Sequence, residues 1–316
     1  MKKTAFLLSI LFLALLLCCA SGEENRVTLT IGEKSISVPA DTEHVDLGKM
    51  TVPYTEENYQ KLFSFISSLP NLKTFDMYAT DLRRKQAEIL TERFPDIRFG
   101  WTFVISCTNE WHPERVPHRV RTDATAFSTL HNNSSTLHTS LDLSVLRYCK
   151  DLKALDIGHN ELTNLDFLYD LPHLKVLIIA DVTDPGCQGL DITPVGSLKE
   201  LEYLEVFKND VRDISCLANC ENLVDLNICF NRILDLSPLY GLKKLRRLWV
   251  YNYNSHNYED STVSPDTVLR LKEHLPDCYI DSVSWSTLGG WREHPRYDTI
   301  YEMFFGSEYI PFTTLD

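Results

Sequence analysis

Beyond Gly22 the chain has no apolar run long enough to span a bilayer, so any membrane contact is expected at the N-terminus alone. Basic residues are scarce: Lys and Arg total 31 against 44 Asp and Glu, a net charge of −13. The segment 1–22 holds Lys2 and Lys3 and no acid, so removing it takes the net charge from −13 to −15. A surface this acidic repels nucleic acid and anionic lipid headgroups, and suits solubility or a cationic partner. Enzyme signatures are missing as well. There is no H-E-x-x-H, G-x-S-x-G or P-loop, and neither Asp123 nor Asp156 sits in the spacing of an EF-hand loop. No catalytic residue, metal or cofactor is expected. The seven cysteines after Gly22 are an odd number with no C-x-x-C, which excludes a complete disulfide framework and offers no zinc or redox site.

What is present begins with a targeting segment, 1–22. Lys2 and Lys3 form a basic start, and Ala5 to Leu17 is an apolar stretch broken only by Ser9. That length, followed by small residues, reads as a secretory signal and not a spanning helix. Two endings stand open. In one, Leu-Leu-Cys-Cys-Ala-Ser-Gly serves as an imperfect lipobox, with Cys19 (or Cys18) as the lipidated residue. In the other, cleavage follows Ala20 or Gly22. Either way the mature chain is expected outside the cytoplasm, as a cell-surface lipoprotein or freely secreted.

The strongest signal is a repeat. The phrase L-x-x-L-x-[IV]-x-x-N recurs as Leu152-Leu155-Ile157-Asn160, Leu201-Leu204-Val206-Asn209 and Leu223-Leu226-Ile228-Asn231. Leu174-Leu177-Ile179 and Leu245-Leu248-Val250 repeat it without the asparagine. The copies thus start at Leu152, Leu174, Leu201, Leu223 and Leu245, evenly except for one longer step between Leu174 and Leu201. Every step falls within the period of leucine-rich repeats, about 20–29 residues. The expected fold is therefore α/β: a solenoid with a parallel β-sheet on its concave face, helical N-terminal repeats and capped ends. Within each strand, alternate side chains point in and out. Leu155/Ile157, Leu177/Ile179, Leu204/Val206, Leu226/Ile228 and Leu248/Val250 should stack as a buried ladder, and Asn160, Asn209 and Asn231 should satisfy backbone groups at the bend. Cys149 and Cys220 fall where other copies carry Leu171, Leu198 and Leu242, so they read as small buried apolar residues; a Cys216–Cys220 pairing is the alternative.

Four segments follow: 1–22 as signal, 23–140 as hairpin and degenerate repeats, 141–253 as the repeats, and 254–316 as the C-terminal cap. RVTLTIGEKSISV (26–38) alternates around Gly32-Glu33 as a hairpin. Strands are expected at Val45–Leu47, Phe75–Met77 and Ile97–Ile105, with helices near 56–69 and 82–94. The long N-terminal unit from Val45 to Phe75 leaves room for an α-helix. The tighter units, such as Leu201 to Leu223, leave room only for a 3₁₀ or extended segment. The stretch 106–140, with Trp111-His112-Pro113, looks irregular, and Phe127 should rejoin the solenoid. Asp184-Pro185-Gly186 marks an inserted loop. Ser264-Pro265-Asp266 starts a helix with Val268, Leu269, Leu271 and Leu275 as its apolar face. A strand near Cys278–Val283 and a tail from Trp291 to Phe305 complete the cap.

The outward strand positions are where function is expected. They read Asp156, Ile178, Glu205, Asn227, Trp249; then Gly158, Ala180, Phe207, Cys229, Tyr251; then His159, Asp181, Lys208, Phe230, Asn252. Tyr203, Glu205, Phe207, Asp225, Phe230, Trp249 and Tyr251 should gather near one end of the concave face. Aromatics interleaved with acids suit a recognition patch; the alternative is that loops or the C-terminal tail cover them. His112 and His294, each beside Trp, Glu, Pro and Arg, read more plainly as packing within caps than as an acid–base pair.

The copies followed by Asp213-Ile214-Ser215 or Asp235–Leu239 resemble internalin-type 22-residue repeats. With Arg121–Phe127 and Trp291–Tyr297, the chain is similar to secreted leucine-rich-repeat proteins of Gram-positive gut bacteria. The open solenoid, the signal segment and the missing enzyme motifs together lead to the expectation of a non-enzymatic, extracytoplasmic, monomeric module binding a protein partner, a cationic one by charge, through its concave face. A glycan- or small-ligand-binding surface lipoprotein is the alternative.

Overall fold

The structure, a computed structural model, describes residues 25–105, 118–129, 142–160, 162, 164–182, 189–251, 263–284, 287 and 290–311. Cys18, Cys19, Cys107, His112, Cys187 and the Asp184–Gly186 turn lie outside them. The chain forms two compact units, Met1–Thr80 with Glu88–Gly100, and Asp81–Ala87 with Trp101–Asp316.

In the first unit, strands β1 (Arg26–Ile31) and β2 (Lys34–Pro39) form the antiparallel hairpin, closed where Ile31 faces Lys34. Gly32 supplies the left-handed φ of +59° that this turn needs and side chains resist. Strand β3 (His44–Asp46) pairs parallel with β4 (Thr74–Leu82). Helix α1 (Glu56–Ser67) begins where the Thr55 hydroxyl accepts from the Asn58 amide, with Glu56 and Glu57 at the positive end of its dipole. It buries Tyr59, Leu62, Phe63, Phe65 and Ile66. Phe65 packs edge-on to Phe75 at 6.3 Å, and Phe75 meets Phe99 at 6.0 Å. Helix α2 (Arg84–Arg93) and strand β5 (Arg98–Ile105) each run from one unit into the other.

The second unit is a leucine-rich-repeat solenoid. After strand β6 (His118–Arg121), antiparallel to β5, come seven strands: β7 (Ala126–Ser128), β8 (Ala154–Asp156), β9 (Val176–Ile178), β10 (Tyr203–Glu205), β11 (Asp225–Asn227), β12 (Arg247–Trp249) and β13 (Tyr279–Asp281). They pair side by side in chain order as one parallel sheet. Between β7 and β12 the described part of each connection contains one short 3₁₀ turn: Leu143–Tyr148, Asp166–Asp170, Thr193–Ser197, Ser215–Asn219 and Ser237–Leu239. The short period leaves room for nothing longer. Before four of these turns an Asp side chain accepts from the amide two positions on, as in Asp191 to Thr193, Asp213 to Ser215 and Asp235 to Ser237. This is an Asx turn that caps the 3₁₀ start, and it gives the repeated Asp-x-Ser its physical reason.

The inward ladder is dry. Leu155, Ile157, Leu177, Ile179, Leu204, Val206, Leu226, Ile228, Leu248 and Val250 are all fully buried. The asparagines stitch one bend to the next. Asn231 Oδ1 accepts from the Asn209 and Val211 amides, and its Nδ2 donates to the Val206 and Ile228 carbonyls. Asn209 does the same one unit earlier, toward Val182 and Ile179. Cys149, Cys220, Cys229 and Cys278 are buried free thiols, and Cys216 is a partly buried one. Burial pushes four of the five to about 12 and Cys220 to about 11, which keeps them protonated.

Helix α3 (Pro265–His274) starts with the Ser264 hydroxyl accepting from the Thr267 amide and Pro265 at its first turn. Its inward face is narrower than expected. Leu271 and Leu275 are buried one turn apart, whereas Leu269 is 59% exposed. Positions two apart in sequence lie about 200° apart around a helix, so Leu269 points away from Leu271. The tail departs further from expectation. Helix α4 (Pro295–Gly306) packs against β7 and β8, the far end of the sheet from β13. The chain from Gly290 onward thus crosses the concave face.

Candidate functional site

The parallel register aligns two columns of side chains on the concave face. One reads Ala126, Ala154, Val176, Tyr203, Asp225, Arg247; the other Ser128, Asp156, Ile178, Glu205, Asn227, Trp249. Toward β7 the surface is small and, apart from Ser128 and Asp156, apolar, and from β10 onward it is large, aromatic and charged. Strands ~4.8 Å apart put neighbours in each column within contact.

The C-terminal segment lies on both halves. Gly290 takes a φ of +105° as the chain turns in, and a Cβ there would meet the Trp249 ring at 3.5 Å. Trp291 is fully buried, with its ring 5.3 Å from Tyr203 and 5.2 Å from Trp249. Its Nε1 donates to Glu205 Oε2 at 3.0 Å, and the Tyr203 hydroxyl donates to the same oxygen at 3.1 Å. Arg296 grips Asp225 with two bonds, Nε to Oδ2 at 2.7 Å and Nη2 to Oδ1 at 2.8 Å. Arg247 reaches the same carboxylate through Nε at 2.8 Å and lies 4.6 Å from the Trp291 ring centre. One buried acid is therefore shared by two guanidinium groups. Past Arg296 the helix turns Ile300, Met303 and Phe304 onto Ala126, Ala154, Val176, Ile178 and Ala180. It ends at Ser307, and the Tyr309 amide donates to Thr125 Oγ1 at 2.9 Å.

Each apolar side chain so buried contributes ~1.5–3 kcal/mol. A buried ion pair adds little over an apolar contact of the same volume, but losing one partner costs ~3–5 kcal/mol. The Asp225 clamp therefore sets where the helix lands, and the apolar residues hold it there.

The expectation of an open aromatic and acidic patch is corrected on this point. Tyr203, Glu205 and Asp225 have no exposed surface, and Trp249 retains 3%. The tail covers them because their charges and rings match its own. Phe207, Phe230 and Tyr251 sit outside the cover as a half-buried row, with ring centres 5.3 and 5.7 Å apart. Phe230 occupies the column in which His159, Asp181, Lys208 and Phe230 all have a φ between 52° and 59°. For an L side chain that conformation costs ~1–2 kcal/mol. Bonds to the next bend hold it, such as the Phe230 amide to the Tyr251 carbonyl at 2.7 Å. Lys208 and His159 both lie against Asp181 in this rim, at 3.0 and 3.5 Å.

His294 is the cap of α4, its Nδ1 accepting from the Arg296 amide. Burial and then the positive Arg247 and Arg296 lower its pKa, which favours the neutral ring that such an acceptor requires. Asp123 is held by Arg121 through two bonds. Asp156 accepts from Ser128 Oγ and the Gly158 amide, and burial raises its pKa to about 6. Among the described residues no group of acids, histidines and cysteines is arranged to hold a metal, and no helix is long and apolar enough to cross a membrane.

Sequence reasoning missed Arg247, Arg292 and Arg296 as partners of the acidic strand residues. No sequence period links the Trp-Arg…Arg tail to Glu205 and Asp225, which stand in different columns of the sheet.

No protein-family model matches the chain, and no curated protein matches its sequence. Among solved structures it is similar to an internalin, InlF, of Listeria monocytogenes, at 16% identity and a TM-score of 0.39 over 78% of this chain and 63% of that one. It is also similar to internalin C2 of the same organism (20% identity, TM-score 0.33, covering 61% and 70%). The leucine-rich-repeat ectodomain of the receptor kinase SOBIR1 of Arabidopsis thaliana follows (18%, 0.32, covering 49% and 80%). The matched part spans 63% of the InlF chain, less than two thirds of it.

Proposed function

We propose that the chain is a non-enzymatic, extracytoplasmic protein-binding module, anchored by Cys19 or freely secreted, that meets its partner at the edge of the concave face beyond residues 290–311. The carrying observation is the half-buried row Phe207, Phe230 and Tyr251, bordered by Lys208 and Asp181. Partly exposed aromatics in a row on a rigid sheet edge are the residue type that anchors protein interfaces. The buried Tyr203, Glu205, Asp225 and Trp249 act behind them as the support that fixes the edge. The net charge of −13 favours a basic partner, and a monomer suffices for it.

A random-peptide display selection on the full chain and on Phe207→Ala/Tyr251→Ala tests this reading. The expected result is enrichment of basic, aromatic-containing peptides on the parent and none on the variant, with both melting cooperatively at similar temperatures. Equal enrichment on both would refute the rim as the site. A glycan array with hits and a peptide selection without them would favour the glycan-binding alternative. Mass spectrometry of the mature N-terminus decides between a diacylglyceryl cysteine and free secretion.

A further inference from the structure

The covered part of the concave face has the form of a helix-binding groove. Arg296, Ile300, Met303 and Phe304 are spaced i, i+4, i+7 and i+8, and all four are buried against the sheet. An amphipathic helix seated in an apolar groove shows this anchor spacing. The groove is acidic where the helix is basic: Asp225 takes Arg296 at 2.7 Å, and Glu205 lies 3.7 Å from Arg292. The fit is incomplete. Asn227 Nδ2, Arg247 Nη2 and Trp249 Nε1 are buried without a hydrogen-bond partner among the described residues. All three belong to β11 and β12, and Arg247 and Trp249 lie against the Trp291 ring. Buried polar atoms left unpaired weaken the state that buries them, so the resident segment leaves binding capacity unused.

We infer that the concave face is a docking groove for a cationic amphipathic helix of a partner protein, and that residues 290–311 are its built-in competitor. A partner helix with an arginine at the fourth position before its first apolar anchor takes the Asp225 position. Polar groups around that arginine reach the strand atoms that the resident segment leaves unpaired. The resident helix is tethered, so it competes at an effective concentration in the millimolar range, and free binding is weak until the cover is loosened. This groove adjoins the Phe207–Tyr251 rim, whose rings pack against the same buried cluster, but its contacts to the helix are made by other residues.

The probe is a fluorescent peptide with the chain's own residues 290–311, alongside the same peptide carrying Arg296→Glu. Each is titrated by anisotropy against the full parent chain and the full-length variant Arg296→Gln. The expected result is weak binding to the parent, at least ten-fold tighter binding of the native peptide to Arg296→Gln, and no gain for the charge-reversed peptide. A cooperatively melting Arg296→Gln chain that binds the native peptide no better than the parent overturns the inference, as does equal binding of both peptides. If Arg296→Gln does not fold, hydrogen exchange on the parent decides. Amides of 296–304 that open together before those of β10 to β12 support a displaceable helix; amides that open only with the whole sheet overturn it. Loss of peptide selection at Phe207 and Tyr251 leaves this outcome untouched, so the two readings fail separately.

Discussion

The two faces of strands β8 to β12 are about equally buried where the tail covers them, and they reach that state by opposite means. On the inner face, Leu204 and Leu226 stack directly on each other and on their counterparts in the adjoining repeats. On the concave face, Glu205 and Asp225 are covered by Trp291 and Arg296, which lie far along the chain in the non-repeating tail. Leu226 and Asp225 are neighbours in one strand. One is held by a local, apolar and repeated contact, the other by a distant, charged and unrepeated one. A repeat supplies a scaffold wherever it recurs, whereas the use made of its open face depends on a segment that does not repeat.

That contrast can be broken first at Asp225. In Asp225→Ala, Arg247 and Arg296 lose their shared carboxylate, and about 3–5 kcal/mol of stability should go with it, read in denaturant melts. Replacing Asp225, Arg247 and Arg296 together by Leu or Met should restore most of that loss; a triple variant as weak as the single one would mean that the charges stabilise in their own right. Leu226→Ala, on the opposite face of the same strand, should cost about 3 kcal/mol through the cavity it leaves, with no preferential exposure of Trp291. The third test uses pH. Asp156 has its pKa raised from 3.8 to about 6, so between those values the folded chain holds a proton that the unfolded chain has lost. Its contribution therefore falls as pH rises from about 4 to 6, and the full penalty, about 2–3 kcal/mol, stands above 6. Asp156→Asn should melt higher than the parent at pH 7 and lose that advantage at pH 4; an advantage independent of pH would contradict the raised pKa. Smallest of all, Phe305→Ser on the outward side of α4, where the ring is 78% exposed, should change stability by no more than about 0.5 kcal/mol.

The difference between the faces also explains what could be read from the sequence. The leucine ladder, the asparagine bends and the 3₁₀ connections follow from spacing alone, because each position is fixed by its equivalent one repeat away. The hairpin at Gly32 and the start of α3 follow from local turn and capping chemistry. The course of 290–311 across the sheet was not legible, since no period links Trp291 to Glu205. Strand alternation assigns Tyr203, Glu205, Asp225 and Trp249 to one face of the sheet but says nothing of their accessibility. That hinges on a helix whose landing site is set by two arginines, and sequence spacing gives no distance between such groups. Leu269 failed for a smaller reason, since an apolar residue on a short surface helix can face water at modest cost.

Hydroxyl-radical footprinting of the full chain at neutral pH tests the covered face most directly. Trp249, Trp291 and Met303 should resist oxidation while Tyr301 and Phe305, on the outer side of the same helix, are modified readily. Oxidation of Trp249 and Met303 at rates matching Tyr301 would contradict it, and would return the concave face to solvent.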